Sequence, residues 1–346
     1  MEPILALNAD ERNGLRERLW ALNANPYRDY PHFKRAISAL IEDKEVPERL
    51  LRTCDRIREE REQRKSHAHL IRNCPIDPMV PVFDQNDPVQ DKYRTKTTYV
   101  GEGILELFGQ LTGTPLLAYD TRNNGDFFHD VYAHTRYSGT QTQKTDGELY
   151  FHNDRTAHPV RADYLALLGM RCYAGNRIYT GFIDGQWLLD HLSEREQALL
   201  RQPYYQTPYD EYSRDSNAAQ VDSEPHLILE ETQCFRYYDT RTKPHRDAPP
   251  EARDALIALK DAIVKARKHR IVLDIGDLLC VANQAGLHNR ELVEVADAEQ
   301  AKKRWLLKTY SFRSQAHMEK FADWFPSHCP GLVQDAPEAL LEKKAA

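Results

Sequence analysis

Four short stretches set imidazoles, alone or beside carboxylates, at spacings that could hold a metal ion. They are "FHND" (His152, Asp154), "HRD" (His245, Asp247), "HME" (His317, Glu319) and "SHAHL" (His67, His69). On a strand, residues i and i+2 share one face about 6 to 7 Å apart along the chain, so His152 and Asp154 would face one way and Asn153 the other. An imidazole and a carboxylate supply two corners of a two-histidine, one-carboxylate site. A second histidine completes it and leaves coordination positions open. On a helix the same spacing splays the side chains apart. "SQAHMEKFADWF" reads as helix, and "TRTKPHRDAPP" lies between prolines, where no regular strand is expected. "RIREEREQRKSHAHL" (57–70) reads as a charged, solvated helical stretch, which makes His67 and His69 surface residues. Only "FHND" follows a strand-like run and precedes others. By local pattern it is either half of a metal site or a hydrogen-bonded pair beside a turn.

The elements around it divide the chain by style. The first third reads largely helical. "NADERNGLRERLWAL" opens on a capping Asn8 with Leu15, Leu19 and Leu22 at helical spacing, and "VPERLLRTCDRIREER" has Pro47 early in its helix. "CPIDPMVPVFDQNDP" (74–88) is an extended, proline-rich connection. "YVGEGILELFGQLTG" is a helix with Gly113 as its C-terminal cap. Beyond Pro115, "PLLAYD", "ELYFHND", "DYLALLGMRCY" and "RIYTGFID" are short apolar runs of a mostly antiparallel β region. A long tyrosine-rich segment follows, and residues 205–225 are equally a lid and an ordinary packed loop. "PPEARDALIALKDAIVKARKHR" is an amphipathic helix, and "RIVLDIGDLLCVANQAGLHNR" reads as strand, Gly-Asp turn, strand, loop.

Composition sets the bounds. With 41% hydrophobic and 29% charged residues the chain resembles an ordinary globular protein. Its net charge of −6 offers no basic footprint for nucleic acid. No run approaches the roughly 18 apolar residues of a membrane span, and no signal peptide is visible. Six scattered cysteines without a C-x-x-C pair fit reduced thiols, so a cytoplasmic location is expected. Nothing matches G-x-S-x-G or a P-loop, and "GEGILE" fails the dinucleotide pattern at Glu106. No linker or repeat divides the chain. Residues 1–346 therefore read as one domain, a helical part (1–115) packed on a β core (115–315).

Downstream of "FHND", the stretch "GDLLCVANQAGLHNR" places His288 after a strand pair, where it can be a third ligand. Arg304 opens the next apolar strand in "KKRWLLKTY", where its guanidinium can grip a carboxylate in bidentate fashion. Lys308 shares its face. These segments, in this order, resemble the clavaminate synthase-like branch of the Fe(II)/2-oxoglutarate oxygenases, within the taurine dioxygenase superfamily. The likeness is nearest to bacterial hydroxylases of free amino acids such as the viomycin arginine β-hydroxylase. The shared pattern is H-x-D/E, then "GDLL-x-V-x-N-x-x-x-x-H-x-R", then an Arg-Trp pair, here Arg304 and Trp305. "NNGDFFHDV" and "FRYYDTRTKP" also look like family segments.

The resemblance implies a mainly β protein, a double-stranded β-helix (jelly roll) flanked by helices. It implies that His152, Asp154 and His288 bind Fe(II), and that Arg304 pairs with the distal carboxylate of 2-oxoglutarate. Thr180 is the candidate hydroxyl partner of that co-substrate, with Arg177 as the alternative. The implied activity consumes O2 and hydroxylates a small polar amino acid, with release of succinate and CO2. Related halogenases have a small residue where Asp154 stands, so the carboxylate favours hydroxylation or desaturation. Carried over residue by residue, Asn124, Thr142, Arg236, Asp239 and Lys308 are the substrate-binding candidates; each reads equally as an ordinary surface or structural group. A substrate tethered to a carrier protein would use similar contacts. The readings from other classes are a metal-dependent hydrolase and a non-catalytic jelly-roll binding protein.

Overall fold

The computed structural model describes residues 1–216 and 221–337; residues 217–220 of the lid candidate lie outside the described residues. The strands, in chain order, are β1 (Leu5–Ala6), β2 (Ala68–Arg72), β3 (Leu116–Tyr119), β4 (His129–Val131), β5 (Leu149–His152), β6 (Tyr164–Arg171) and β7 (Asn176–Asp184). They continue with β8 (Tyr205–Gln206), β9 (Lys243–Pro244), β10 (His269–Val272), β11 (Leu278–Ala282), β12 (Gly286–Val295), β13 (Trp305–Ser311) and β14 (Leu332–Val333). The major sheet runs β1-β2-β11-β6-β13-β3-β14, with β4 also paired to β13. The minor sheet runs β10-β7-β12-β5. Helices α1 (Ala9–Ala21), α2 (Tyr30–Glu42), α3 (Glu48–Glu62), α4 (Pro88–Thr95) and α5 (Val100–Leu111) precede the core strands. Helices α6 (Gly185–Leu189), α7 (Glu194–Leu200), α8 (Glu211–Ser216), α9 (Pro250–Lys265), α10 (Ala298–Lys302) and α11 (Gln315–Glu319) follow.

Side-chain alternation explains why the major-sheet strands are apolar throughout. Leu165 and Leu167 of β6, Leu279 and Val281 of β11, and Leu306 and Tyr310 of β13 pack toward the minor sheet, meeting Phe182 of β7 and Ile271 of β10. The intervening Ala166, Leu168, Leu278, Cys280, Trp305 and Leu307 pack under the N-terminal helices. A strand covered on both faces has no polar side, so a continuous apolar run replaces the alternation of a half-exposed strand. Outside the minor sheet, Ala252, Ala255, Leu256 and Leu259 of α9 pack with Ile183 and Leu287. The result is a jelly-roll core with helices on both faces.

The N-terminal helices are built as their sequences suggest. Asn8 caps α1 in a reciprocal capping box with Glu11, an arrangement worth about 0.5–2 kcal/mol. Leu15 and Leu19 are buried. Helix α5 is buried at ten of its twelve residues. Gly101 permits its approach to β6, since a Cβ there would lie 2.8 Å from the Met170 side chain. Gly113, at φ +65°, ends the turn after α5.

Two expectations need correction. His67 and His69 are not surface residues of a helix. Helix α3 stops at Glu62, Arg64 turns the chain at φ +52°, and Ala68–Arg72 enters the major sheet between β1 and β11. Both imidazoles are buried there, His67 against Asp184 at 2.7 Å and His69 against Glu60 at 3.1 Å. The second correction concerns "GLHNR", read as loop. It is the start of β12, hydrogen-bonded to both β5 and β7. Gly286, which looks like a turn residue, is there because a Cβ would lie 2.5 Å from the Ile183 carbonyl and the Phe182 ring.

The buried histidines give the fold an acid-sensitive stability. His226, at the base of the 205–225 segment, is pushed down to about 3 by burial, with the charges of Arg236 and Arg161 adding to it. It donates from Nδ1 to the Leu227 carbonyl and accepts from the Thr207 hydroxyl. Between an unfolded value near 6.5 and the folded value, the unfolded chain binds a proton that the folded one refuses. Stability is therefore complete above that range and falls with pH by about 1.4 kcal/mol per pH unit for such a group. Urea unfolding followed between neutral pH and about pH 5 should show the decline, and His226→Gln should reduce its slope by one proton. An unchanged slope in the variant would contradict this assignment.

No helix among the described residues is long and apolar enough to cross a membrane.

Candidate metal centre

The site begins with register. In the antiparallel pair of β5 and β12, His288 stands directly opposite His152. Side chains so placed share a face with Cβ atoms about 5 Å apart, and the two imidazole centroids are 4.3 Å apart. Asp154 is not on the strand, which ends at His152. It sits in the following turn, where its amide donates to Asn283 Oδ1 at 2.8 Å. The intervening Asn153 points the other way, as alternation requires. It donates to the carbonyls of Gly286 and Asn283 and accepts from the Tyr237 amide. These two asparagines replace the strand ladder in fixing Asp154.

One ligand atom from each of His152, Asp154 and His288 lies within 4.8 Å of the others, the only such group among the described residues. His152 Nδ1 is 2.7 Å from the Tyr150 carbonyl. A carbonyl only accepts, so Nδ1 carries a hydrogen, and Nε2, 3.5 Å from Asp154, is the ring atom turned to the site. Tyr238 stacks on the same ring at 4.7 Å. His288 Nε2 lies 3.9 Å from Asp154 Oδ2, while its buried Nδ1 has no partner. Burial would raise the Asp154 pKa, but the Lys308 ammonium at 2.8 Å, aided by the two imidazoles, holds it well below the usual carboxylate range. Burial, with His152 nearby, pushes His288 down to about 3. A carboxylate and two imidazoles are the donor set that suits a borderline divalent ion such as Fe(II), with coordination positions left open.

The three donors line a cavity of about 50 Å³ together with Arg304, Thr180 and Lys308. Arg304 immediately precedes β13 and is 9% exposed; its Nη2 has no partner, and burial lowers its pKa. Thr180, on β7, faces the same cavity, whereas Arg177 is largely exposed and pairs with Glu294. Lys308 donates to Asp154, to Gln143 Oε1 at 2.5 Å and to the Tyr310 hydroxyl at 2.9 Å.

The remaining sequence candidates lie elsewhere. Asn124 is exposed at φ +57°, and its neighbour Asn123 is the buried one, bonded to Asp126 and Asp130. Thr142 is buried but caps the Lys144 amide. Arg236 is consumed by the carbonyls of Thr156 and Ala157. Asp239 turns to α9, where it accepts from Lys260 at 2.9 Å and from the Tyr237 hydroxyl. In contrast, Gln143 and Arg290, to which the sequence reading gives no role, line the metal cavity. Arg290 donates to the carbonyls of Thr145 and Gly147, and burial together with the Arg304 charge pushes it down to about 9. Its signal in the sequence was the i+2 spacing from His288, which puts both on one side of a strand. A larger cavity, about 500 Å³, is lined by Arg58, Arg61, His67, Gln233 and Arg313 and contains none of the three donors.

Solved structures share this architecture. An asparagine oxygenase in complex with Fe(II), (2S,3S)-3-hydroxyasparagine and succinate is 20% identical, with a TM-score of 0.76 over 96% of this chain and 99% of that one. The non-heme iron oxygenase OrfP, with Fe and α-ketoglutaric acid, is 20% identical, with a TM-score of 0.75 over 95% and 99%. OrfP with Fe, succinate and (3S)-hydroxy-L-Arg superimposes with the same TM-score and coverage at 21% identity. At these identities the likeness is one of fold. Comparison with curated protein sequences found no match. A family model matches residues 102–310, more than half of the chain, and with it the chain belongs to the taurine catabolism dioxygenase TauD, TfdA family.

Proposed function

We propose that the chain, acting as one unit over residues 1–346, is an Fe(II)- and 2-oxoglutarate-dependent dioxygenase that hydroxylates an unactivated C–H bond of a small polar amino acid. The observation that carries the reading is the convergence of His152, Asp154 and His288 on the cavity that also receives an unpaired buried guanidinium, Arg304. Iron and 2-oxoglutarate together supply the oxidation: one oxygen atom of O2 enters succinate, the other enters the substrate C–H bond, and CO2 leaves. The protein's residues do the rest. His152, Asp154 and His288 hold the ion. Arg304 neutralises the far carboxylate of the co-substrate, with the Thr180 hydroxyl in reach of the same cavity. Lys308 keeps Asp154 anionic and fixed. Leu149, Leu165, Leu167 and Leu306 give the cavity apolar walls that keep water from the reacting atoms.

An amino-acid substrate is supported by the hydroxylated asparagine and arginine bound in the similar folds. Two measurements test the reading. Anaerobic Fe(II) plus 2-oxoglutarate should give a weak visible charge-transfer band, which a hydrolase or a binding protein would lack. A succinate-release screen over free amino acids should find a product heavier by one oxygen atom. Loss of two hydrogen atoms would mean desaturation, and turnover only on a carrier-tethered aminoacyl group would move the substrate class.

A further inference from the structure

Asp154 separates two cavities. One is lined by Arg304; the other, about 30 Å³, shares only Asp154 with it and is lined by Arg122, Arg155, Asp210, Ser213 and Tyr238 along with Asp154 itself. Arg155 follows the metal-site carboxylate directly. It is 8% exposed, and its Nη1 donates to Ser213 Oγ at 3.1 Å. Its Nε and Nη2 have no hydrogen-bond partner, and no carboxylate among the described residues pairs with it. The Tyr119 ring lies 4.3 Å from its guanidinium carbon. The residue also holds φ at +59°, a left-handed conformation that a non-glycine side chain adopts at a cost of about 1–2 kcal/mol.

A second guanidinium converges on the same point. Arg122 Nη1 donates to Ser213 Oγ at 2.9 Å, and its fork grips Asp210 at 2.9 to 3.2 Å. Ser213 belongs to α8 and Asp210 immediately precedes it, so this part of the 205–225 segment covers the cavity. Asp210 neutralises Arg122, so a neutral hydroxyl oxygen is what meets the unpaired Arg155, and a carboxylate oxygen is the ligand that such a guanidinium favours. Lys308, the ammonium beside Asp154, is already committed to Asp154, Gln143 and Tyr310. Arg236 and Asp239 are committed as well.

We propose that Arg155, beside the Arg122–Asp210 pair, reads a carboxylate of the substrate, in the position that Ser213 Oγ holds in this structure. Binding then draws α8 aside or around the ligand, and Arg155 sets specificity for a carboxylate-bearing molecule. This rests on the oxygenase reading above, and the carboxylate is either the α-carboxylate of any amino acid or the side-chain group of an acidic one.

The test uses the purified full chain, free amino acids and their α- and side-chain carboxamides. Stabilisation of the metal-free protein against heat and succinate release with Fe(II) and 2-oxoglutarate are both read. Arg155→Gln should raise the KM of the accepted substrate by about 30-fold or more while kcat changes little. Arg155→Lys should recover part of the loss. The KM for 2-oxoglutarate and the anaerobic band should not move, because Arg304, His152 and His288 do not line the cavity of Arg155, and Arg155 makes no hydrogen bond to the Asp154 carboxylate. One carboxamide should be as poor for the wild type as the acid is for Arg155→Gln, and the variant should not discriminate between them. Loss on the α-amide assigns the α-carboxylate; loss on the side-chain amide assigns the other. If no carboxylate distinguishes wild type from Arg155→Gln in binding or turnover, the proposal is overturned. An absent charge-transfer band would instead overturn the oxygenase reading.

Discussion

Replacing His152 with alanine abolishes substrate turnover and removes the anaerobic Fe(II)/2-oxoglutarate band; this is the outcome expected from the donor geometry. Three protein groups converge, and no other cluster of histidine, cysteine and carboxylate side chains among the described residues could substitute. Loss of an outer partner of a ligand commonly weakens a metal site by 10- to 100-fold, so loss of a ligand itself should lower iron affinity by about 100-fold at least. The ring is also the best positioned of the three. Tyr150 fixes its tautomer and Tyr238 its plane, which means that an added imidazole in solution would lack the orientation as well as the tether. The readouts are iron stoichiometry after desalting, the visible band and succinate release, with the unfolding midpoint confirming that the variant is folded. Retained turnover with normal iron content would remove the metal reading, and the hydrolytic and non-catalytic alternatives would return.

Much of this centre could be read from residue order, and the reason is local. Alternation on a strand puts His152 and Asn153 on opposite sides, and the apolar runs of β6, β11 and β13 announce strands covered on both faces. What spacing along the chain does not contain is register between distant strands. That His288 faces His152 follows from the pairing of β5 with β12, residues 136 apart in sequence (288 − 152), and "GLHNR" carries too much glycine and asparagine to look like a strand alone. The same limit explains the error at His67 and His69. Their neighbours in sequence are charged, but their neighbours in space are β1 and β11. Asp239 and Asn124 lie outside the metal cavity for a related reason. A polar residue in a loop has many partners available, and only the folded chain shows that Lys260 takes Asp239 while Asn124 reaches solvent. Arg155 carried no signal beyond its adjacency to Asp154. Its unpaired guanidinium is a property of packing.

Arg304→Met should raise the KM for 2-oxoglutarate by about a hundredfold or more while iron content stays at the wild-type level. The estimate follows from what truncation of one partner of a buried charge pair removes, about 2–5 kcal/mol, at tenfold per 1.4 kcal/mol. The side chain is buried, burial holds its pKa below the ordinary value, and its Nη2 has no partner within the protein. A charge kept in such a place without an internal counter-ion is stable only when a ligand supplies one. Arg290 is the rival for the role, since it lines the same cavity, yet both of its bonded nitrogens already meet the carbonyls of Thr145 and Gly147. Its charge should strengthen the cationic end without forming the bidentate grip. Methionine keeps most of the volume of the arginine stem, so a KM effect reports the lost guanidinium rather than a collapsed cavity, and Arg304→Lys should fall between the two. The comparison with Arg290→Met decides the assignment: if the Arg290 variant loses 2-oxoglutarate and the Arg304 variant does not, the keto-acid lies on the other side of the cavity. Iron content separates this prediction from the first, because Arg304 touches no donor and its loss should leave His152, Asp154 and His288 holding the ion.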